Sequence, residues 1–180
     1  MFFIKNFNYF FISLIILIFI ISIFSVQSNY NPETKIIDFI DDGSLLWPAP
    51  NYYGINSYFG KRNAPTGGAS TYHKGIDIAV PQGKEFIAVT DGTITFRDFL
   101  GGGGYTITLT DSQGVKYSYC HSDPNFIVSV GDNVKKGQVI GNVGPKYVYG
   151  VIGNKYHDSK GIPTNGATTG PHLHFRNENK

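Results

Sequence analysis

The fold class of this chain is indicated by one stretch, Val128-Ser129-Val130-Gly131-Asp132-Asn133-Val134-Lys135-Lys136-Gly137-Gln138-Val139-Ile140-Gly141. Its Gly131-Asp132 pair marks a turn, and the β-branched residues that follow in segment 138–143 predict a strand. Glycine and proline, 22 and 9 of the 180 residues, separate other short runs of the same kind. The sequence therefore predicts an all-β domain built from short antiparallel strands.

Period-two patterns and turn residues extend this prediction along the chain. The predicted strands are 85–89, 92–97, 105–110, 115–121, 138–143 and 172–176. Asp91-Gly92 and residues 111–114 mark turns between them. Only segment 33–40, which follows a proline, has helical character, and it is short enough to be marginal.

The N-terminus contains an uncharged apolar run over residues 9–26, preceded by Lys5. At about 1.5 Å per residue this run could just span a bilayer, or it could form a long signal-peptide core. Val26 and Ser28 suit the −3 and −1 positions of a signal-peptidase site. We therefore expect residues 1–28 to be a hydrophobic signal or anchor helix, 29–45 a linker, and 46–180 a single domain. That domain would be secreted, or anchored in the membrane through residues 9–26 if they are retained.

The charge of the chain argues against a nucleic-acid partner. The formal net charge is +2, and it falls to +1 without Lys5. The charged residues are dispersed, and no basic patch of the kind that binds nucleic acid is present.

Four of the five histidines fall in three short segments, and one of these segments also carries an aspartate. The segments are His73-Lys74-Gly75-Ile76-Asp77, Tyr119-Cys120-His121 and His172-Leu173-His174-Phe175. Two imidazoles and one carboxylate form the ligand set of a catalytic zinc site that keeps one position open for water. Residues 172 and 174 would share one face of a strand, so their spacing does not decide which of them binds the metal.

The spacing of His73 and Asp77 fits either a helix face or a bent strand. Gly75, the β-branched Ile76 and the nearby Pro81 disfavour a helix. In a fully extended strand, at about 3.3 Å per residue, the two Cα atoms would lie about 13 Å apart, which is long for two ligands of one ion. We therefore predict a bulge or kink near Gly75.

Together these segments resemble the lysostaphin-type zinc endopeptidases, which cleave the peptide part of bacterial peptidoglycan. The resemblance runs from about residue 46 to residue 175. It is carried by Ser57-Tyr58-Phe59-Gly60-Lys61-Arg62 with Pro65, His73-Lys74-Gly75-Ile76-Asp77-Ile78-Ala79, Asp91-Gly92, residues 130–141, and Thr169-Gly170-Pro171-His172-Leu173-His174-Phe175. Residues 128–141 also resemble the hairpin of lipoyl, biotinyl and sugar phosphotransferase IIA domains. The resemblance implies a single barrel-sandwich domain of the duplicated-hybrid-motif type.

The resemblance also implies roles for the site residues. His73, Asp77 and His174 would bind one Zn²⁺, and His121 and His172 would share general-base and transition-state-stabilising roles. No His-Glu-x-x-His motif is present to supply a glutamate base, so a histidine must act as the base. Because the histidines that act as ligands and as base must be neutral, with an unperturbed pKa of about 6.5, we expect activity to fall below about pH 6.

Other features are assigned structural roles. Arg62 is expected to support the fold rather than to touch substrate, and His157 to lie outside the site because it has no partner at ligand spacing. The run Gly101-Gly102-Gly103-Gly104 is expected to be a flexible hairpin end, since no Lys-Ser/Thr follows it. Residues 145–168 form a longer connection than the turn of many family members, and they could wall or cover the substrate groove.

Cys120 is the only cysteine, so the chain cannot form an intramolecular disulfide. Strand alternation would place Tyr117, Tyr119 and His121 on one face and Cys120 on the other. Cys120 is then expected to be a small buried residue. A cysteine nucleophile paired with His121 is disfavoured, since adjacent strand residues face apart.

Two alternative functions stay open at this point. One is a non-catalytic module of the same fold that binds or scaffolds the cell envelope, although here no ligand is missing. The other is a peptidase for glycine-rich secreted proteins, which would need the same active site.

Overall fold

The computed structural model describes residues 43–178, which form short antiparallel β-strands and one 3₁₀ turn at Gly101–Gly103. The strands are β1 (Ile55–Ser57), β2 (Gly60–Lys61), β3 (Tyr72–His73), β4 (Ile76–Ile78), β5 (Glu85–Ile87), β6 (Gly92–Phe99), β7 (Tyr105–Thr110), β8 (Lys116–Cys120), β9 (Asn133–Val134), β10 (Val139–Asn142) and β11 (Leu173–Asn177). The predicted all-β class is confirmed for this part of the chain.

The predicted N-terminal helix, residues 9–26, and the short helix 33–40 lie outside the described residues. Both therefore stay predictions. Within residues 43–178, the structure contains no helix that is long and apolar enough to cross a membrane.

Seven strands form the main sheet, in the order β1-β4-β11-β8-β7-β6-β9. β10 pairs with β5 and β2 pairs with β3 in two small sheets. In the main sheet β11 lies between β4 and β8, with His174 opposite Asp77 on one side and Cys120 on the other. The three segments singled out in the sequence are thus neighbours in one sheet.

Alternating residues of this sheet separate a hydrophobic core from a polar face. Leu173 is fully buried and Phe175 packs against the core, while His174 between them points to the other face. The buried ring of Tyr119 stacks on Phe86 across the core, with ring centroids 5.2 Å apart. The predicted inward orientation of Leu173 and Phe175 is confirmed.

The longer strands were predicted within a few residues, and the shortest ones were missed. β7 has the predicted bounds, 105–110, whereas β6 runs to Phe99 instead of residue 97. β1, β2 and β9 span only two or three residues each, too few for a period-two pattern to be detected.

The chain bends at Lys74-Gly75, between β3 and β4, as the sequence predicted. Glycine is required here by a close approach of two strands. A Cβ atom on Gly75 would lie 2.4 Å from the carbonyl oxygen of Phe175 and 2.9 Å from Cβ of Arg176. Any side chain at residue 75 would therefore push β11 away from the bend.

Candidate metal centre

Three side chains converge on the polar face of the main sheet. Nε2 of His73 lies 2.9 Å from Nδ1 of His174, which lies 2.8 Å from Oδ1 of Asp77. Nε2 of His73 is 3.1 Å from the same carboxylate oxygen. Tetrahedral zinc, with bonds of about 2.0–2.1 Å to nitrogen and oxygen, separates its ligand atoms by roughly 3.3 Å. The triangle is slightly tighter than that, and small adjustments would fit it to an ion.

Paired strands place the three residues. Asp77 in β4 and His174 in β11 are direct partners in the sheet register, so their side chains leave the same face side by side. His73 ends β3, and the bend at Gly75 brings its ring to the same point. The bend thus lets residues four apart in sequence meet at one centre.

The tautomer of His73 suits a metal ligand. Its Nδ1 lies 2.9 Å from the carbonyl oxygen of Tyr58, an acceptor, so Nδ1 carries the proton. Nε2 is then left with its lone pair facing Asp77 and His174. A proton on Nδ1 of His174 would be the only one available to the three atoms of the triangle. One cation in the place of that proton would be bound by all three atoms. The donor set therefore fits zinc.

The two oxygens of Asp77 have different partners. Oδ1 faces the histidines, while Oδ2 accepts a hydrogen bond from Nη1 of Arg62 at 2.9 Å. The same Nη1 donates to Oγ of Ser57 in β1 at 2.6 Å. Arg62 thus ties β1 to β4 and fixes the carboxylate, which is the supporting role expected for it.

The charge state of Asp77 also suits a ligand. Burial by itself would raise the pKa of Asp77, but hydrogen bonds with His172 and His174 outweigh it. The pKa therefore lies far below its ordinary value, and the side chain is a carboxylate across the neutral range.

The other two predicted histidines lie next to this triangle. The ring centroids of His121 and His172 are 4.6 Å apart, and His121 is 6.2 Å from His174. Nε2 of His172 lies 3.4 Å from Oδ1 of Asp77, farther than the 2.8 Å of Nδ1 of His174. The geometry thus places His174 in the triangle and His172 beside it, a choice that spacing alone left open.

Both flanking histidines have their Nδ1 atom committed to a loop carbonyl. Nδ1 of His121 donates to the backbone oxygen of Asn165 at 2.7 Å, and Nδ1 of His172 donates to that of Gly170 at 2.9 Å. A neutral His121 ring then has Nε2 available as an acceptor. Burial, followed by the proximity of His172 and His174, lowers the pKa of His121 well below its ordinary value. His121 is therefore neutral at pH 7, as a general base must be.

The predicted orientation of residues 117–121 was wrong at its end. Tyr117 and Tyr119 share one face as predicted, and that face is the core, but β8 stops at Cys120, and His121 has a φ of 59°. This left-handed backbone ends the alternation and turns His121 to the polar face, where Cys120 also lies. Cys120 is buried, as predicted. Burial raises the pKa of its thiol to about 11, which keeps it protonated and unsuited to nucleophilic attack.

Asn165 is a supporting residue that the sequence did not reveal. It is completely buried, and its side chain accepts a hydrogen bond from the backbone N–H of Tyr105 and donates one to the carbonyl of Ser122. Its own carbonyl holds His121. The only local signal is the Asn165-Gly166 pair, which marks a turn but not a buried one.

The centre lies in a cleft with a volume of about 610 Å³. His157 is exposed and lies outside this cleft, and its Nδ1 is 3.1 Å from the carbonyl oxygen of Lys155. The glycine run ends a hairpin, as predicted, but it is packed rather than free. The carbonyl of Gly102 accepts a hydrogen bond from Ala167, and that of Gly103 accepts one from His121.

Comparison with known proteins places the chain in context. Residues 71–180 match the sequence model described as peptidase family M23. The DD-carboxypeptidase/endopeptidase Mpg of Neisseria meningitidis serogroup B is 36% identical over 124 residues, which cover 69% of this chain and 24% of the relative. The glycyl-glycine endopeptidase ALE-1 of Staphylococcus capitis is 31% identical over 126 residues, 68% of this chain and 30% of the relative. The chain thus spans about a quarter of the length of the first of these curated relatives.

Solved structures show the same fold. A zinc-containing peptidase from Vibrio cholerae superposes with a TM-score of 0.56 at 27% identity, covering 74% of this chain and 38% of that one. The catalytic domain of lysostaphin from Staphylococcus simulans superposes with a TM-score of 0.51 at 29% identity, covering 69% and 78% of the two chains.

Proposed function

The chain belongs to peptidase family M23, and from this premise we propose that it is a zinc metalloendopeptidase that hydrolyses peptide bonds in the cross-links of bacterial peptidoglycan. The observation that carries the proposal is the convergence of His73, Asp77 and His174 beside two further histidines. The names of the relatives, a DD-carboxypeptidase/endopeptidase and a glycyl-glycine endopeptidase, support a peptide substrate.

His73, Asp77 and His174 would hold the ion. Zinc bound there would supply a Lewis acid that makes water nucleophilic near neutral pH and polarises the scissile carbonyl. His121 accepts the proton of the attacking water at Nε2, because its Nδ1 proton is committed to Asn165. His172, beside that ring, would stabilise the developing oxyanion by donating a hydrogen bond from Nε2, which requires a proton on that atom as well as on Nδ1.

We further propose that residues 46–180 form the catalytic domain and that it acts outside the cytoplasm. Peptidoglycan lies there, and the apolar run 9–26 supplies a segment suited to export or anchoring. Detecting the mature N-terminus of the exported protein would show whether residues 1–28 are removed.

The test of the proposed activity is mass spectrometry of peptides released from purified peptidoglycan. We expect the zinc-loaded protein to release them, a strong chelator to abolish release, and added zinc to restore it. Peptidoglycan binding with no bond cleaved by the zinc-loaded protein would instead indicate the non-catalytic envelope module. Parallel digestion of an elastin-like polymer distinguishes a peptidase for glycine-rich secreted proteins.

A further inference from the structure

Two aromatic side chains are exposed side by side on the small sheet that β2 and β3 form. Phe59, just before β2, is 51% exposed, and Tyr72, at the start of β3, is 43% exposed. Their ring centroids lie 5.5 Å apart with an interplanar angle of 85°, which makes them an edge-to-face pair. We call Phe59 and Tyr72 the aromatic pair. Large side chains that contact each other and yet stay exposed to water are typical of a binding surface.

The aromatic pair is fixed relative to the metal centre. Tyr72 directly precedes the ligand residue His73 in β3. Phe59 directly follows Tyr58, whose carbonyl oxygen lies 2.9 Å from Nδ1 of His73. Gly60 and His73 are partners in the sheet register, so the two strands that carry the pair are joined at the ligand. A molecule bound on the aromatic pair would therefore lie at a defined distance from the metal centre.

The aromatic pair lies at the rim of the cleft. Tyr72 lines the cleft and Phe59 does not, so the pair leads from the cleft onto the open surface. Asn56 and Lys74, both exposed, line the cleft together with Tyr72. The rim thus combines two exposed rings with an amide and an ammonium group.

This combination fits a sugar ring better than an aliphatic peptide side chain. One face of a pyranose ring is a flat array of C–H groups, which packs against the electron-rich face of an aromatic ring. The hydroxyl and N-acetyl groups at its edge need hydrogen-bond partners, which Asn56 and Lys74 can supply. An aliphatic side chain would instead favour a concave apolar pocket.

The position of the aromatic pair also fits the layout of peptidoglycan. Its peptides branch from glycan strands, and a glycan strand stays outside the cleft when a peptide bond lies at the metal centre. The rim, where the rings are exposed, is the surface that such a strand would meet.

We propose that Phe59 and Tyr72 form a sugar-binding platform, and that the site prefers peptides still attached to the glycan over the same peptides released from it. This inference rests on the proposed function and adds the part of the substrate that lies outside the cleft. The rings are remote from the scissile bond, so they bind substrate and transition state alike. Their contribution should therefore appear mainly in KM.

The test compares one cross-linked peptide dimer with and without its N-acetylglucosaminyl-N-acetylmuramyl disaccharides. We expect the zinc-loaded protein to hydrolyse the sugar-bearing form with a kcat/KM about three- to tenfold above that of the sugar-free form, mainly through a lower KM. Phe59→Ala should bring this ratio close to one. Phe59→Leu, which keeps an apolar side chain but loses the flat ring, should do the same, whereas Phe59→Tyr should keep the ratio.

The matched control is Tyr149→Ala, which removes a tyrosine that is 72% exposed and lies outside the cleft, and it should keep the ratio. Equal kcat/KM values for the two forms in the wild type would overturn the inference, even if the variants at residue 59 failed to fold. A ratio that stays high in Phe59→Leu would overturn it too, because the sugar would then not be recognised by ring stacking. Failure to hydrolyse either form or whole peptidoglycan would refute the proposed function itself.

A binding measurement tests the platform without turnover. The free disaccharide, titrated into the protein, should shift the NMR signals of the Phe59 and Tyr72 rings and leave those of Tyr149 unchanged. Unchanged signals of both rings at saturating disaccharide would contradict the platform, whether or not the protein hydrolyses peptidoglycan.

Discussion

The three converging ligand residues and the two flanking histidines are held by different kinds of structure. His73, Asp77 and His174 lie within paired strands, whereas His121 and His172 lie just outside a strand end. Sheet register positions Asp77 and His174, while loop carbonyls position His121 and His172. Metal binding and proton transfer thus have separate supports, and substitutions should separate the two functions.

The largest effect is expected from removing one of the ligand residues that the strands position. Asp77→Ala removes one of three ligands and should lower both zinc content and peptide hydrolysis, the latter by about 10³-fold or more. Elemental analysis and product release measure the two losses. Asp98→Asn, at an exposed residue outside the cleft, is the matched control. Full zinc content in Asp77→Ala would contradict the proposed ligand set.

Removing the loop-held base should leave the metal in place. His121→Ala is expected to lower kcat by about 10²- to 10⁴-fold while zinc content stays at the wild-type level. His157→Ala, at an exposed histidine, serves as control and should retain activity. Undiminished turnover by His121→Ala would show that another group takes the proton.

A smaller effect is expected when the support of a ligand is removed. Arg62→Met deletes the donor to Oδ2 of Asp77 and should weaken zinc affinity by about 10- to 100-fold. Competition with a chromogenic chelator measures this affinity, and Arg62→Lys should recover part of it. An unchanged affinity would mean that the strand register alone orients the carboxylate.

The corresponding change on the loop side is Asn165→Ala. It leaves the N–H of Tyr105 and the carbonyl of Ser122 without their buried partner, which should cost about 2–4 kcal/mol of the free energy of unfolding. By loosening the carbonyl that holds His121, it should also lower kcat about tenfold. Denaturant unfolding and steady-state kinetics with zinc content monitored test both effects. If Asn165→Ala lost zinc before it lost turnover, the metal ligands and the flanking histidines would share a support, contrary to what we describe.

The smallest effect is a pH dependence carried by His121. Its pKa is lowered in the folded state, so the unfolded chain takes up a proton first, at about pH 6.5. The contribution of His121 to the free energy of unfolding is therefore complete above about pH 6.5. It is lost as the pH falls below that value, by up to about 1.4 kcal/mol per pH unit. The free energy of unfolding of the wild type and of His121→Ala, measured from pH 5 to pH 7, tests this. Parallel pH profiles would contradict the assignment.

The same pKa shift sharpens the expectation for activity. Burial keeps His121 neutral at lower pH. The pKa that His121 contributes to the acid limb of the kcat/KM profile should therefore lie below that of an ordinary imidazole. A kcat/KM profile whose acid limb lies at or above about pH 6.5 would contradict a general base with this lowered pKa.

Local patterns predicted the features that depend on residue type and short spacing. The alternation of Leu173, His174 and Phe175 predicted which side chains enter the core, and Gly75 predicted the bend. The prediction failed at His121, because strand alternation assumes that the strand continues. The left-handed backbone of His121 ended the strand one residue earlier than predicted, and histidine adopts that backbone too rarely for its residue type alone to predict it.

The sequence by itself determined the all-β class, the family resemblance and a set of residues able to bind zinc, since these follow from residue chemistry and periodicity. Only the tertiary structure decided that His174 lies nearer to Asp77 than His172 does and that the backbone carbonyl of Asn165 holds His121. Each of these contacts links residues far apart in the chain. Such contacts are set by how the sheet and its loops pack together, which a pattern of neighbouring residues does not encode.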